Sequence, residues 1–155
     1  GPRDPVTGEV IGGGTSAFAT AEVTFPIIEN VRGAAFGDLD GDGRIDAVVS
    51  AIGEPAEILY NVSEPARHWI LLRLIGSKSN RDGIGTQIKL TTESGAVQYN
   101  HATTAGGYAG ASDQRVHFGL GEDEGIQEIE LRWPSGEVQV LQGIAADQVL
   151  EVREP

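Results

Sequence analysis

Hydrophobic and polar residues alternate with a period of two along much of this chain. Between positions 17 and 27 every second residue is apolar, and Thr20, Glu22 and Thr24 lie between them. This alternation is typical of a β-strand with one buried face, because successive side chains of a strand point to opposite sides. The same criterion predicts strands at 47–52, 58–60, 69–75, 86–92, 97–103, 115–118, 126–133, 138–141 and 149–152.

Turn-forming residues separate the predicted strands. Asp82-Gly83 is a strong hairpin signal, and the segment 134–137 (PSGE) lies between two strands as a tight turn. One helical turn is expected, at 145–148. Many short strands with turns between them predict an all-β fold, an antiparallel β-sandwich or barrel-like domain.

The character of the sequence changes twice along the chain. Residues 1–15 are rich in Gly, Pro and Asp and predict an extended N-terminal tail. Residues 16–64 contain short strands around an aspartate-rich segment, and residues 65–155 contain longer strands. We therefore place a boundary between two units near 61–67.

Composition narrows the classes of partner. The chain has 155 residues, 22 Gly, no Cys, no Met and a formal net charge of −12. Strong acidity argues against nucleic acid and anionic membranes, both of which require clustered Lys and Arg, and it favours cations. The longest apolar runs are too short to span a bilayer, so no membrane insertion is expected. Without Cys there is no disulfide framework and no thiolate metal site. Asn61 begins a glycosylation sequon.

The segment 38–46, DLDGDGRID, has the spacing of a calcium loop. Asp38, Asp40, Asp42 and Asp46 stand at positions 1, 3, 5 and 9, and a glycine at position 6 permits a sharp turn. Calcium requires six to eight oxygen ligands, and alternate residues of a tightly wound loop point inward. We expect these four carboxylates and the main-chain carbonyl of Arg44 to bind Ca²⁺.

The sequence around this loop distinguishes it from other acidic turns. Position 12 is Val49 inside an apolar strand, not the bidentate glutamate of an EF-hand. Mg²⁺ is less suitable because it requires strict octahedral geometry. A surface turn that binds nothing is the alternative, but four close carboxylates without a cation would repel one another. The acidic run 122–124 (EDE) is either a solvated tip or a weak second cation site.

At this point the chain resembles two known families. The segment GAAFGDLDGDG (33–43) is similar to the FG-GAP (VCBS-type) calcium-binding repeat of integrin-like β-propellers. Residues 68–155 resemble the ASPIC/UnbV domain of the cartilage acidic protein family. The similarity of residues 68–155 rests on the motifs HW (68–69), GSKSNRDGIG (76–85), HFGLG (117–121), RWPSG (132–136) and ADQ (146–148).

The resemblance implies an extracellular, calcium-dependent binding or matrix-associated protein. In the FG-GAP repeat the aspartates bind calcium, which here implies Asp38, Asp40, Asp42 and Asp46. The family supplies no catalytic residues. One departure matters, because the family's ASPIC/UnbV domain usually follows a whole propeller and only one repeat is recognisable here. The resemblance therefore implies a partial β-propeller-type blade that carries the calcium loop. A single blade cannot close a propeller, so its strands must pack elsewhere.

Other polar and aromatic residues are expected to have structural roles. His117 lies in an alternating strand and is expected to make a structural hydrogen bond, and Asp113 and Arg115 are expected to pair. Trp69 and Trp133 are either core anchors or carbohydrate platforms. No spacing selects a nucleophile with a base, so we do not expect an enzyme.

Two functional hypotheses follow. The first is an extracellular, adhesion-type module that calcium makes rigid and that binds a protein or glycan partner. The second is a subunit of a self-assembling extracellular filament, in which the strand at about 16–28 pairs with a neighbouring subunit.

Overall fold

The computed structural model describes residues 31–51, 53–64, 67–105 and 110–155. This part of the chain is all-β, and none of its sheets closes into a barrel. Its strands are β1 (Val31–Gly37), β2 (Asp46–Ala51), β3 (Glu57–Leu59), β4 (His68–Ile75), β5 (Gln87–Thr92), β6 (Val97–His101), β7 (Ala111–Ser112), β8 (Val116–Gly121), β9 (Gly125–Arg132), β10 (Val138–Ala145) and β11 (Gln148–Arg153). The predicted fold class is confirmed.

Two sheets enclose the hydrophobic core. The antiparallel sheet β10-β9-β5-β6 contributes one side, and the sheet β11-β4-β8, in which β11 runs parallel to β4, contributes the other. Alternate residues of each strand point inward, as the period of two requires. The fully or almost fully buried side chains include Ile70, Leu72, Ile88, Leu90, Phe118, Ile126, Ile129 and Leu131. The fold is therefore a β-sandwich.

A third sheet, β3-β2-β1-β7, carries the aspartate loop. β1 and β2 form an antiparallel hairpin whose register runs from Ala34↔Val49 to Gly37↔Asp46. The short strand β7 runs parallel to β1, and Ala35 lies opposite Ala111. This sheet thus takes strands from both sides of the boundary that the sequence suggests near 61–67.

The expected helical turn at 145–148 is wrong. In the structure β10 ends at Ala145, β11 begins at Gln148, and Asp147 adopts a positive φ of 58°. The carboxylate of Asp147 accepts hydrogen bonds from the main-chain N–H of Trp69 and lies 2.7 Å from Nδ1 of His68. These contacts hold a left-handed residue that a helix would not contain.

Among the described residues no helix is long and apolar enough to cross a membrane.

Some sequence predictions concern residues outside the described ranges. These are the tail at 1–15, the alternating strand at 17–27 with its proposed role in assembly, and part of the boundary near 61–67.

The end of the chain is fixed by a cluster of hydrogen bonds. Glu154, which is 3% exposed, accepts main-chain N–H bonds from Ser77 (2.8 Å), Lys78 (2.7 Å) and Ser79 (2.7 Å) at Oε2. Its Oε1 accepts the hydroxyls of Ser79 and Ser135. Three consecutive N–H groups that converge on one oxygen form an anion-binding nest. This carboxylate therefore joins the turn after β4, the turn after β9 and the end of β11.

Candidate metal centre

The aspartate loop closes the β1–β2 hairpin, and Gly37 pairs with Asp46 at its base. Gly41 and Gly43 have φ angles of 84° and 83°, a left-handed conformation that glycine adopts without steric cost. The tight winding brings carboxylate oxygens of Asp38, Asp40 and Asp42 within 4.8 Å of one another. Three of the four carboxylates expected from the sequence therefore converge on one point.

Hydrogen bonds inside the loop orient these carboxylates. Asp38 accepts the N–H of Gly41 at 2.7 Å and the N–H of Gly43 at 3.1 Å. Asp40 accepts from Asp42 N at 3.2 Å, and Asp42 accepts from Arg44 N at 2.8 Å. Each side chain thus bonds to main chain two to five residues further on, as in an Asx-turn. The bonds therefore fix the direction of the carboxylate oxygens.

Asp46, the fourth expected ligand, lies apart from this group. It is 2% exposed, and its two oxygens accept N–H bonds from Leu39 at 2.9 Å and from Asn61 at 2.8 Å. It therefore ties the base of the loop to the segment after β3. Its coordination of a metal stays a prediction.

The carbonyl of Arg44 is an expected calcium ligand, and its side chain also makes contacts in and near the loop. Its guanidinium forms an ion pair with Asp42 and donates to the carbonyl of Ser63 at 3.3 Å. The pKa of Asp42 is lowered, first by the N–H of Arg44 and further by the guanidinium. Nε of Arg44 is buried without a hydrogen-bond partner among the described atoms. Asp42 therefore has a cationic partner in the loop itself.

The loop packs on the outer face of the sheet β11-β4-β8. Nη2 of Arg115 donates to the carbonyl of Asp38 at 2.9 Å, and Nε2 of His117 lies 2.8 Å from the carbonyl of Gly43. The indole of Trp69 lies so close to Gly43 that a Cβ there would be 2.1 Å from its Cδ1. Three residues of the sandwich thus contact the loop directly.

Residues next to the loop confirm several structural expectations. Arg115 and Asp113 pair as expected, and the pair holds β7 near β1 because Asp113 N donates to Phe36 O at 2.8 Å. Burial opposes ionisation of Asp113, but hydrogen bonds from Arg115 outweigh it and lower the pKa. The structural hydrogen bond of His117 is confirmed. Trp133 is 2% exposed, so of the two roles that the sequence allows, core anchor or carbohydrate platform, it has the first.

The sequence could not reveal that Trp69 and Arg115 contact the loop, because both lie far from it along the chain. The only indication in the sequence was that both residues lie in or beside predicted strands, one face of which must pack against another part of the chain. The acidic run at 122–124 forms no second group of carboxylates among the described residues. Asp123 instead accepts hydrogen bonds from the N–H and hydroxyl of Ser94 at 3.1 and 2.8 Å.

The donors of the loop suit a hard divalent cation. Carboxylate oxygens are the ligands that Ca²⁺ prefers, and three of them at one point leave positions for main-chain carbonyls and water. Three clustered carboxylates also repel one another unless a cation reduces the charge. The residues present therefore fit calcium.

The part of the chain that forms most of the β-sandwich is similar to known proteins. Residues 76–155 match the family described as ASPIC and UnbV. Cartilage acidic protein 1 of Xenopus tropicalis is 28% identical over 110 residues, which cover 68% of this chain and 16% of that protein. The proteins of the same name from Mus musculus and Homo sapiens are each 25% identical over 126 residues, 79% of this chain.

The chain spans less than a fifth of the length of these relatives, at 16%, 19% and 18% for frog, mouse and human. The matching segment begins at the turn that surrounds Glu154 and includes strands β5 to β11. Because the family match covers more than half of the chain, this protein belongs to the ASPIC and UnbV family.

Proposed function

We propose that this protein is an extracellular calcium-binding interaction module, in which the ion holds the loop 38–46 rigid against the β-sandwich. The observation that carries the proposal is the convergence of Asp38, Asp40 and Asp42 within 4.8 Å. Asp46 and the carbonyl of Arg44 are proposed to complete the ligand set after a small movement of the loop. Calcium would then act chiefly by stabilising the folded state.

We also propose that the loop and its two flanking strands are an FG-GAP-type unit. Its support is the GAAFGDLDGDG segment together with an antiparallel sheet in which the loop joins two strands. The extracellular setting is supported by relatives named cartilage acidic protein 1 and by a net charge of −12. The role is proposed to be binding, not catalysis.

Removing calcium is expected to lower the unfolding temperature. At a free calcium concentration of about 100 times Kd, binding stabilises the folded state by about 2.7 kcal/mol. For a chain of this size that corresponds to a shift of roughly 5–10 °C. Thermal unfolding followed by circular dichroism with calcium, and then with EGTA, measures the shift.

The variant Asp40→Ala tests whether this loop is the site. It removes one of the three converging carboxylates, so calcium should no longer raise the unfolding temperature, and calorimetric titration should show loss of binding. Glu54→Ala is the matched control, because it removes an exposed carboxylate outside the loop. An unfolding curve of the unaltered protein that is the same with calcium and with EGTA would contradict the proposal.

A second candidate is the filament subunit, and exposed apolar residues near an edge strand favour it. Among the described strands β3 lies at the edge of its sheet, and Ile58, Tyr60 and Val62 in or near it are 52%, 54% and 78% exposed. A strand from a neighbouring copy could pair with such an edge. Light scattering and negative-stain microscopy with calcium and with EGTA should then reveal polymers that disappear when residues 1–25 are deleted. Polymers that persist after this deletion would exclude the N-terminal strand as the linker.

A further inference from the structure

The outer face of the sheet β10-β9-β5-β6 carries an open cleft of about 540 Å³. The register places its side chains in two rows across three strands. Lys89 on β5 lies opposite Tyr99 on β6 and Glu130 on β9. Gln87 lies opposite His101 on β6 and Arg132 on β9. The cleft is therefore built from regular strands and is preorganised.

Its polar groups are largely unused within the described chain. No described hydrogen bond or ion pair engages the side chains of Gln87, Lys89, Tyr99 or His101, and Tyr99 is 57% exposed. Arg132 contacts Glu130 at 3.7 Å while its side chain remains 62% exposed. Several donors, one acceptor carboxylate and an aromatic ring therefore face the same space.

The charge of the cleft differs from that of the rest of the molecule. Two cations, Lys89 and Arg132, face one carboxylate, Glu130, whereas the whole chain has a net charge of −12. A site with a net positive charge on an acidic protein favours an anionic group over a neutral one. Arg and Lys together bind a carboxylate well, the former through paired N–H donors.

We propose that this cleft binds a carboxylate-bearing sugar within a glycan chain. The ring of Tyr99 provides a surface for the apolar face of a pyranose. Gln87, His101 and Glu130 supply donors and acceptors for hydroxyl groups, and Lys89 with Arg132 holds the carboxylate. The volume is within the usual range for small-molecule sites, roughly 300–1,000 Å³.

An acidic peptide is the competing occupant, and the structure favours the glycan. A peptide bound as an added strand needs an open main-chain edge. β6 is an edge strand among the described residues, but the side chains of Gln98 and Asn100 bond to carbonyls of β8, at 2.7 Å to Gly119 and 3.2 Å to His117, so β8 lies close to it. The free groups lie on the face of the sheet, where Glu130 also disfavours a partner that is purely anionic.

An array of uronate- and sialate-containing glycans, beside neutral glycans, tests the proposal on the full chain with calcium. We expect retention of acidic glycans above neutral ones. In calorimetric titration of the strongest binder, methyl esterification of its carboxylates should weaken binding about tenfold or more. Equal retention of neutral and acidic glycans, an ester that binds equally well, or the absence of any retained glycan would overturn the proposal.

Variants locate the site. Lys89→Gln and Tyr99→Ala should each weaken binding about tenfold without a change in unfolding temperature, because neither side chain has a hydrogen bond or ion pair within the described part of the chain. Arg73→Gln, which removes an exposed cation from the other sheet, should leave binding unchanged. A tetraglutamate peptide that displaces the glycan at equal concentration would instead assign the cleft to acidic peptides.

This inference names a partner class for the proposed interaction role but does not depend on the calcium loop. Asp40→Ala should retain glycan binding at temperatures where it is folded, even if it no longer binds calcium. The two proposals therefore fail independently.

Discussion

Replacing Glu154 with alanine is expected to lower the unfolding temperature more than the loss of an exposed carboxylate does. The change leaves three main-chain N–H groups of residues 77–79 and two serine hydroxyls without their acceptor. These donors are partly buried, so water can replace the lost acceptor only in part, and polar groups without a partner are costly. Thermal and urea unfolding, each followed by circular dichroism, measure the loss.

Glu151→Ala is the matched control for this substitution. It lies on the same strand, is 52% exposed, and contacts Arg73 and Arg153 only at 3.8 Å. Surface ion pairs of this kind contribute little. If both variants unfold at the same temperature, the cluster around Glu154 does not stabilise the fold.

The same cluster predicts a dependence on pH. Burial would raise the pKa of Glu154, but hydrogen bonds from Ser135, Ser79 and Lys78 outweigh it, and the pKa lies well below its ordinary value of 4.5. Because the folded-state pKa is depressed, its contribution is present above the unfolded-state pKa and is lost as pH falls. The difference in stability between the unaltered protein and Glu154→Gln should therefore narrow as pH falls below about 4.5. A difference that stays constant from pH 7 to pH 3 would contradict this assignment.

Replacing Gly43 with alanine is expected to separate the aspartate loop from the sandwich. The new Cβ would lie 2.1 Å from the indole of Trp69, and the φ of 83° is unfavourable for alanine. A left-handed residue costs about 1–2 kcal/mol, and overpacking adds about 1–3 kcal/mol. We expect a loss of about 3 kcal/mol in urea unfolding with calcium. Calorimetric titration should show calcium affinity reduced about tenfold or more.

Gly41→Ala distinguishes the two causes. Gly41 has nearly the same φ, 84°, but nothing lies within 4 Å of its Cβ position. It should lose only the backbone contribution, about 1–2 kcal/mol. Adding Trp69→Ala to Gly43→Ala removes the clash and should restore part of the calcium affinity. Equal losses in Gly41→Ala and Gly43→Ala would show that contact with Trp69 does not position the loop.

The contacts around Gly43 suggest how calcium could act beyond its own loop. Arg115 bonds to the carbonyl of Asp38, and His117 bonds to the carbonyl of Gly43. His117 lies in β8, and Arg115 is the residue before that strand. A loop made rigid by an ion would therefore hold β8 and β1 together. The order of the third sheet, which includes the distant strand β7, would depend on the same contacts.

The sequence by itself determined the all-β class and the approximate positions of most strands. A period of two reports which residues of a strand are buried, and segments such as 69–75 and 126–133 carry this signal clearly. It also located the aspartate loop, because the spacing of the aspartates and the glycines are local properties of a few adjacent residues. The sequence predicts a helical turn at 145–148 that the structure does not contain, because the left-handed Asp147 is held by Trp69 and His68, which lie elsewhere in the sequence.

Only the tertiary structure decided which strands are neighbours and what each polar group contacts. Asp46 fits the spacing of a ligand, yet it lies apart from the other carboxylates and accepts N–H bonds from Leu39 and Asn61. Glu154 reads as an ordinary acid near the end of the chain, and its donors lie in two remote turns. Alternation shows that a residue faces inward or outward but not what it faces, because partners across a sandwich are brought together by packing of the whole core.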